Sequence, residues 1–427
     1  MSRKDKYFMI LQTLFAIFGV LVGYPQLGNI FIIFSAPFVL YMVFRKKAIF
    51  LPPLILHCVS ETSIIFLVSF SIIIISVANY EILSRNTNIR ILFWGLIAIF
   101  PIFIYLICKK ILFGGFQWQQ ALVYAGYYLS FWSFIYGYII SGTFTWKETK
   151  FLIYIILSLL IMSMLFPSIK TSRIYSMMLY MGVPYGLYML HKTSKKILGL
   201  GVIILSLLML FGDRNLTFTE LLTIFISIIV SILWFREMRK TAKNIISLPA
   251  YIVIVIIMIT STNNYSNGYL GEYSDYKESG TLENIYGRVL FKLYDDRAVF
   301  WSAAWEQIKS IKPLMPKYDM PDLIAYSTAN NELDASSFGA HNTPLQLIRI
   351  FGIIMGAILI IFYIYMTILS SKILLCINVD KRLLPLFITI ISYVVVIFLT
   401  GTAAMLPQFC LFYFGIMGIS YGKSLTN

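Results

Sequence analysis

The side chains best suited to chemistry begin with His341, which stands where a polar stretch gives way to an apolar one. Pro344, a residue favoured in the first turn of a helix, follows three positions later. The positive end of a helix disfavours an imidazolium ion, so the ring stays neutral and able to accept a proton. This setting favours a general base that acts on a hydroxyl group, although a lone histidine is also compatible with a structural role.

Three arginines near apolar segments provide positive charge for an anion. Arg214 lies in a polar turn between two apolar segments, and Arg297 follows two aspartates. A guanidinium group donates hydrogen bonds in a fork that matches phosphate oxygens, although each arginine could instead pair with a neighbouring aspartate. Arg349 lies eight residues after His341, a little over two helical turns, so the two side chains would share a face. The alternative is that Arg349 extends to the membrane surface.

The segment 296–309 (DRAVFWSAAWEQIK) has the spacing of an amphipathic helix. Its apolar residues recur at intervals of three and four positions: Val299, Trp301, Ala304, Trp305 and Ile308. This pattern predicts a short helix that packs its tryptophans against the rest of the protein.

The elements that must position these residues are membrane helices. Of the 427 residues, 59% are hydrophobic and 12% are charged, with a mean hydropathy of +0.81. Soluble domains are roughly 45–50% apolar and about 25% charged. The apolar runs are long and continuous, which indicates helices, whose backbone polar groups bond within the segment. The thirteen apolar segments are 7–23, 28–44, 54–78, 91–108, 121–142, 151–166, 174–190, 197–211, 218–235, 247–260, 344–369, 383–400 and 404–421.

Charge predicts the orientation of these segments. The formal net charge is +15, yet the long polar stretch 262–342 holds eleven Asp/Glu and only seven Lys/Arg. The positive excess therefore belongs to short loops, which is the pattern of cytoplasmic loops and not of a nucleic-acid surface. The basic clusters expected inside are Arg3-Lys4-Asp5-Lys6, Arg45-Lys46-Lys47, Lys109-Lys110, 236–243 and Lys381-Arg382. Both termini are then cytoplasmic and 262–342 is extracytoplasmic.

Thirteen crossings would put the termini on opposite sides, so one segment does not cross. Basic residues flank 174–190 at both ends, so either this segment or an earlier one remains on the cytoplasmic side. We predict an all-α polytopic membrane protein with about twelve transmembrane helices. About nine lie in 1–261, the extracytoplasmic loop with short helices is 262–342, and three more lie in 343–427. The four cysteines and three histidines predict no thiol or multi-histidine metal site.

Three motifs in this order resemble the superfamily of bacterial O-antigen ligases and O-antigen polymerases. They are Phe211-Gly212-Asp213-Arg214, Arg297-Ala298-Val299-Phe300-Trp301, and His341-Asn342 followed by Phe351-Gly352-Ile353. The large loop before the last three segments is similar as well. The chain departs from the family at Asp213, where a serine is frequent, and at Pro313-Leu314-Met315-Pro316, which replaces a glycine-rich stretch.

The resemblance implies an enzyme of the inner membrane that moves a glycan from undecaprenyl diphosphate to an acceptor hydroxyl. It implies no metal and no cofactor, and a protein that regulates chain length as a further partner. Under this interpretation His341 is the base, and Arg214 and Arg297 bind the diphosphate, with Arg349 and Arg288 in reserve. Asn342 orients the loop, and Trp301 packs in the loop or stacks on a sugar ring.

Three activities stay open at this point. A polymerase joins repeat units, a ligase transfers the chain to the lipid A core, and a flippase would move the same lipid-linked sugars. The variability of polymerase sequences favours the first. Transporters commonly have repeated halves, which this sequence lacks.

Overall fold

The computed structural model describes most of the apolar segments and part of the polar stretch. The described ranges are 43–46, 63–113, 118–150, 172–212, 218–235, 323–327, 334–338, 342–376, 379–400 and 407–426, with single positions at 7, 10, 37, 40, 41, 301, 304, 305, 308 and 309. The segments expected at 151–166 and 247–260 lie outside these residues.

The described part of the chain is helical apart from one hairpin, which confirms the helical class. The helices are α1 (Ser63–Ala78), α2 (Tyr80–Ser84), α3 (Thr87–Phe113), α4 (Trp118–Ile140), α5 (Ser172–Lys192), α6 (Lys196–Gly212), α7 (Phe218–Phe235), α8 (Thr343–Ser371), α9 (Leu384–Thr400) and α10 (Pro407–Leu425). Within the described residues, Thr87–Tyr105 and Thr343–Leu375 are long and apolar enough to cross a membrane, with mean hydropathies of 1.8 and 2.6.

The hairpin lies in the expected extracytoplasmic loop and departs from the all-α prediction. Strand β1 (Leu323–Ser327) pairs antiparallel with β2 (Asp334–Phe338), so that Leu323 faces Phe338 and Ser327 faces Asp334. The sequence analysis expected only short helices here. Strand β2 ends three positions before His341 in the sequence.

The chain divides into two compact units. The first holds Met1–Met209, Tyr365–Ile391 and Met405–Asn427, and the second holds Leu210–Ile364 and Ser392–Ala404. In the first unit, α10 packs closely against α4. A Cβ on Gly418 would lie 1.9 Å from the backbone oxygen of Phe134, and a Cβ on Gly137 would lie 2.1 Å from that of Gly415. Small residues thus let the two helix backbones approach, as is common between membrane helices.

One end of the first unit is joined by polar contacts, and we call it the polar end (Lys46, Asn79, Asn86, Asn88, Thr143, Tyr365 and Tyr421). Asn88 Nδ2 donates to the Tyr421 hydroxyl at 2.8 Å, and Tyr421 donates to Asn86 Oδ1 at 3.1 Å. Tyr365 donates to Asn88 Oδ1 at 2.9 Å. The contacts bring together the start of α3, the end of α10 and the later part of α8.

Lys46 and the region after α4 belong to the same end. Lys46 Nζ donates to Asn79 Oδ1 at 2.6 Å, and the Thr143 hydroxyl donates to the Lys46 carbonyl at 3.4 Å. Lys46 and Asn79 therefore lie at the same end of the first unit. The expected crossing by 54–78 stays a prediction, because residues 47–62 lie outside the described part of the chain.

This placement also separates two basic clusters that were expected on one side. Helix α3 starts at the polar end and has 27 residues, a length of about 40 Å. Lys109 and Lys110 lie near its other terminus, whereas Arg45 and Lys46 lie at the polar end. The two clusters cannot both be cytoplasmic if α3 crosses the membrane.

The second unit contains α7, the hairpin, the first part of α8 and the last part of α9. Tyr363 on α8 donates to the Val394 carbonyl on α9 at 3.0 Å and stacks on Phe398 with ring centroids 4.1 Å apart. These contacts hold α8 against α9 within this unit.

Candidate functional site

The start of α8 is fixed by Asn342, the residue after the candidate base in the sequence. Its side-chain oxygen accepts a hydrogen bond from the backbone N–H of Leu345 at 3.1 Å, and its carbonyl accepts from the N–H of Gln346 at 3.0 Å. A short polar side chain in this position satisfies an N–H group that the helix itself leaves unbonded. Asn342 is thus the N-cap of α8, and its structural role is to fix where the helix begins.

A buried polar row follows the cap. Thr343, Gln346 and Arg349 are spaced three residues apart, so they share a face of the helix, and their exposed fractions are 1%, 9% and 3%. Arg349 Nη1 donates a hydrogen bond to Gln346 Oε1 at 3.3 Å. The low exposure of Arg349 excludes the alternative in which its side chain extends to the surface.

Helix α8 is broken at Gly352, just beyond Arg349. Gly352 has φ 81° and ψ 170°, a backbone conformation that side-chain-bearing residues rarely adopt. A Cβ built on Gly356 would lie 2.6 Å from Ile348 Cα. In a continuous helix, residues eight positions apart are separated by about 12 Å along the axis. The chain therefore folds back on itself at Gly352.

We call residues 343–351 the folded arm. The arm is a short helix that carries the buried polar row and packs against the beginning of the longer helix 353–371. A break in a helix at membrane depth is tolerated where the irregular backbone is buried in protein or lines a cavity. The arm therefore has the features of a site element and not of a simple continuation of the span.

The structure describes three of the seven site residues proposed from the sequence. Asn342 and Arg349 lie on the folded arm, where the cap and the buried row bring them into one element. Trp301 lies in the segment 296–309, which we call the loop helix and of which positions 301, 304, 305, 308 and 309 are described as helical. The other four lie outside the described residues: His341, Arg297, Arg214 and Arg288.

The loop helix has the expected apolar side with one exception. Trp301, Ala304 and Ile308 are buried, but Trp305 is 51% exposed. Within the part of the chain that the structure describes, the indole N–H of Trp301 is buried and has no hydrogen-bond partner. Burial of this face agrees with the packing interpretation of Trp301, whereas Trp305 is wrongly assigned to the buried stripe.

Sequence reasoning missed Gln346, Thr343 and the role of Gly352 as a break. A usable signal was present, because two polar residues spaced three apart precede Arg349 in an otherwise apolar segment. The same segment contains Gly352 and Gly356, which are spaced for a close approach of backbones.

Comparison with known proteins identifies no relative of this chain. No protein-family model, characterised protein or solved structure matches the chain. The site is therefore interpreted from its own chemistry.

Proposed function

We propose that this protein is a multi-pass membrane glycosyltransferase that polymerises a bacterial surface polysaccharide. It joins repeat units carried on undecaprenyl diphosphate, on the outer face of the inner membrane. The reaction inverts the anomeric centre and uses no metal ion.

The observation that carries this proposal is the buried Arg349 on the folded arm. An ionisable side chain inside an apolar segment is costly, so such residues commonly mark a substrate site. The arm begins two residues after His341 in the sequence. Glycosyl transfer from a lipid diphosphate requires two functions, and these two side chains, which are close in the sequence, provide them. The guanidinium group stabilises the departing diphosphate, and the histidine removes a proton from the acceptor hydroxyl.

Each site residue has a distinct task in this proposal. His341 removes the proton from the attacking sugar hydroxyl. Arg214 and Arg297 bind the diphosphate as negative charge develops on it, and Arg349 and Arg288 assist them. Asn342 positions the histidine by fixing the start of α8, and Trp301 holds the loop helix in place.

The charges of the polar end support an orientation in which it faces the cytoplasm. Arg45, Lys46, Arg85, Arg90 and Lys372 belong to its elements, whereas Lys109 and Lys110 lie at the far terminus of α3. Short basic loops are retained on the cytoplasmic side. In this proposal the acidic stretch 262–342 and the start of α8 lie on the extracytoplasmic side, where the lipid-linked substrate is presented. Both termini are cytoplasmic in the same proposal, so the number of spans is even.

The test uses bacterial cells from which the gene is deleted. The deletion is complemented with wild type or with His341→Ala, and the surface polysaccharide is separated on a gel. A polymerase predicts core that carries a single repeat unit in both the deletion and the variant. Bare core with long chains on the carrier would identify a ligase, and repeat units trapped on the inner leaflet would identify a flippase.

A biochemical experiment tests the proposed independence from metal. Purified protein is assayed for chain extension before and after treatment with EDTA. Unchanged extension agrees with arginines that act on the diphosphate alone. Loss of extension that Mg²⁺ restores would refute this part of the proposal.

A further inference from the structure

Gln346 is the described partner of the Arg349 guanidinium, and the chemistry of this pair is specific. The amide oxygen of Gln346 accepts a hydrogen bond from Arg349 Nη1 at 3.3 Å, and both side chains are buried. An amide orients a guanidinium group without cancelling its charge, whereas a carboxylate in the same place would form an ion pair. This hydrogen bond therefore leaves the positive charge of Arg349 intact.

The pair is held at both ends of the folded arm. The N-cap Asn342 fixes the first turn, in which the backbone N–H of Gln346 bonds to the Asn342 carbonyl. Gly352 closes the arm at the other end and folds it against Gly356. A side chain anchored in this way loses little freedom when it binds a ligand, which is the basis of preorganised electrostatic sites.

We propose that Gln346 is a positioning residue that holds Arg349 ready to bind the diphosphate group of the lipid-linked donor. This inference rests on the proposed function for the identity of the donor. Arg349 contacts the diphosphate in the bound donor and as charge develops on it, so the loss of Gln346 is expected to raise KM for the donor and also to lower kcat.

The experiment uses the purified full-length chain in lipid nanodiscs, with undecaprenyl diphosphate as the probe and undecaprenyl monophosphate for comparison. Gln346→Leu removes the hydrogen bond to Arg349 and is expected to weaken diphosphate binding about tenfold or more, since a hydrogen bond to a charged group has about that effect. Gln346→Glu keeps an acceptor but adds a negative charge that pairs with Arg349 and repels the diphosphate, so a loss of about tenfold or more is expected for it as well. The monophosphate, with fewer oxygens to contact, is expected to lose less. Arg349→Gln is expected to weaken binding of the diphosphate at least as much.

Arg382→Gln is the matched control for the loss of an arginine, because Arg382 is exposed and bonds to Asp380 outside the arm. Its diphosphate affinity is expected to equal that of wild type. Where Arg349→Gln does not fold, Gln346→Glu decides, since the new carboxylate pairs with Arg349 and the arm stays formed. Diphosphate affinities of both Gln346 variants within twofold of wild type would overturn the proposal, as would equal losses for the two lipids.

This result is separable from the outcome of the gel experiment. Loss of diphosphate binding in the Gln346 variants, with no change in surface polysaccharide on gene deletion, would reject the polymerase and retain the diphosphate site. Unchanged binding in these variants, with the polymerase phenotype present, would reject the positioning role alone.

Discussion

Lys46 Nζ lies 2.6 Å from Asn79 Oδ1, so two residues separated by 32 intervening positions share one end of the first unit. The second of them directly follows α1, a helix of 16 residues. Asn79 also precedes α2 and the start of α3, whose cap Asn86 bonds to Tyr421. The contacts of Lys46 with Asn79 and of Tyr421 with Asn86 together place the residue before α2 and the end of α10 at one end of the first unit.

A first prediction concerns these sides. Single cysteines at Arg85, Lys381 and Leu112, introduced into a variant without native cysteines, are exposed to an impermeant maleimide in intact spheroplasts. Arg85 and Leu112 are exposed side chains near the two termini of α3, and Leu112 is 73% exposed. We expect labelling of Leu112→Cys alone, because the polar end carries the basic residues that stay in the cytoplasm.

Permeabilised cells provide the control, in which all three cysteines should react. A spanning α3 requires that Arg85→Cys and Leu112→Cys differ. Lys381→Cys is expected to behave like Arg85→Cys, because the neighbouring Asp380 interacts electrostatically with Lys423, which follows Tyr421 by two residues in α10. Labelling of Arg85→Cys and Leu112→Cys from the same side would contradict a spanning α3.

The helices themselves were predictable where long apolar runs define them. The expected segment 218–235 coincides with Phe218–Phe235, and 383–400 differs from Leu384–Thr400 by one residue. Periodicity and hydropathy are local properties, so they were sufficient for these elements. Orientation stays a prediction, because it depends on which side of the membrane each basic loop faces and not on a local property of the helices.

The folded arm was not predictable from composition. The segment 344–369 has the hydropathy of one span, and only the backbone angles of Gly352 divide it in two. A fold-back depends on the contact between Ile348 and Gly356, which is not local in the helix. Hydrophobic spacing also assigned Trp305 to the buried stripe. The spacing identifies which residues share a face of a helix, but it does not show how much of that face is covered by the rest of the protein.

A second prediction tests the break in α8. Gly352→Ala forces a Cβ into a conformation with φ 81°, which costs about 1–3 kcal/mol. We expect a lower temperature of unfolding in detergent and reduced chain extension, because the folded arm is displaced. Thermal unfolding followed by light scattering or intrinsic fluorescence measures the first effect.

Gly201→Ala is a matched control in α6. A Cβ at Gly201 meets no atom within 4 Å, so alanine should be tolerated and should stabilise the helix by about 0.5–1 kcal/mol. Equal stability of Gly352→Ala and wild type would show that the chain does not fold back at this position.

A third prediction tests the hydrogen bonds of the polar end. Tyr421→Phe removes a hydroxyl that accepts from Asn88 and donates to Asn86. Asn88 Nδ2 then loses the acceptor described for it, whereas Asn86 Oδ1 keeps the backbone N–H of Ile89. The expected loss is about 1–3 kcal/mol in the free energy of unfolding.

A double-mutant cycle with Tyr365→Phe measures whether these hydroxyls act together. Both tyrosines bond to the side chain of Asn88, so their effects should not add. Strict additivity in the unfolding experiment would argue that the two bonds are independent and that no connected network exists.

A fourth prediction concerns acid stability and the carboxyl of Asp380, in the loop between α8 and α9. Partial burial of this group opposes ionisation, but hydrogen bonds from Arg382 and the charges of Arg382 and Lys423 outweigh that effect and hold the pKa of Asp380 below its usual value. Arg382 Nη2 lies 2.9 Å from Asp380 Oδ2.

A carboxyl whose pKa is lower in the folded state stabilises the fold at pH values above the pKa of the unfolded chain. This contribution is lost as the pH falls through the lowered folded-state pKa of Asp380. Asp380→Asn should therefore lower the unfolding temperature at neutral pH and have a smaller effect at acid pH, where the wild-type carboxyl is protonated.

Glu81→Gln is the control, because the Glu81–Arg85 pair is exposed and such pairs contribute little. Parallel curves of unfolding temperature against pH for Asp380→Asn and wild type would contradict the assignment.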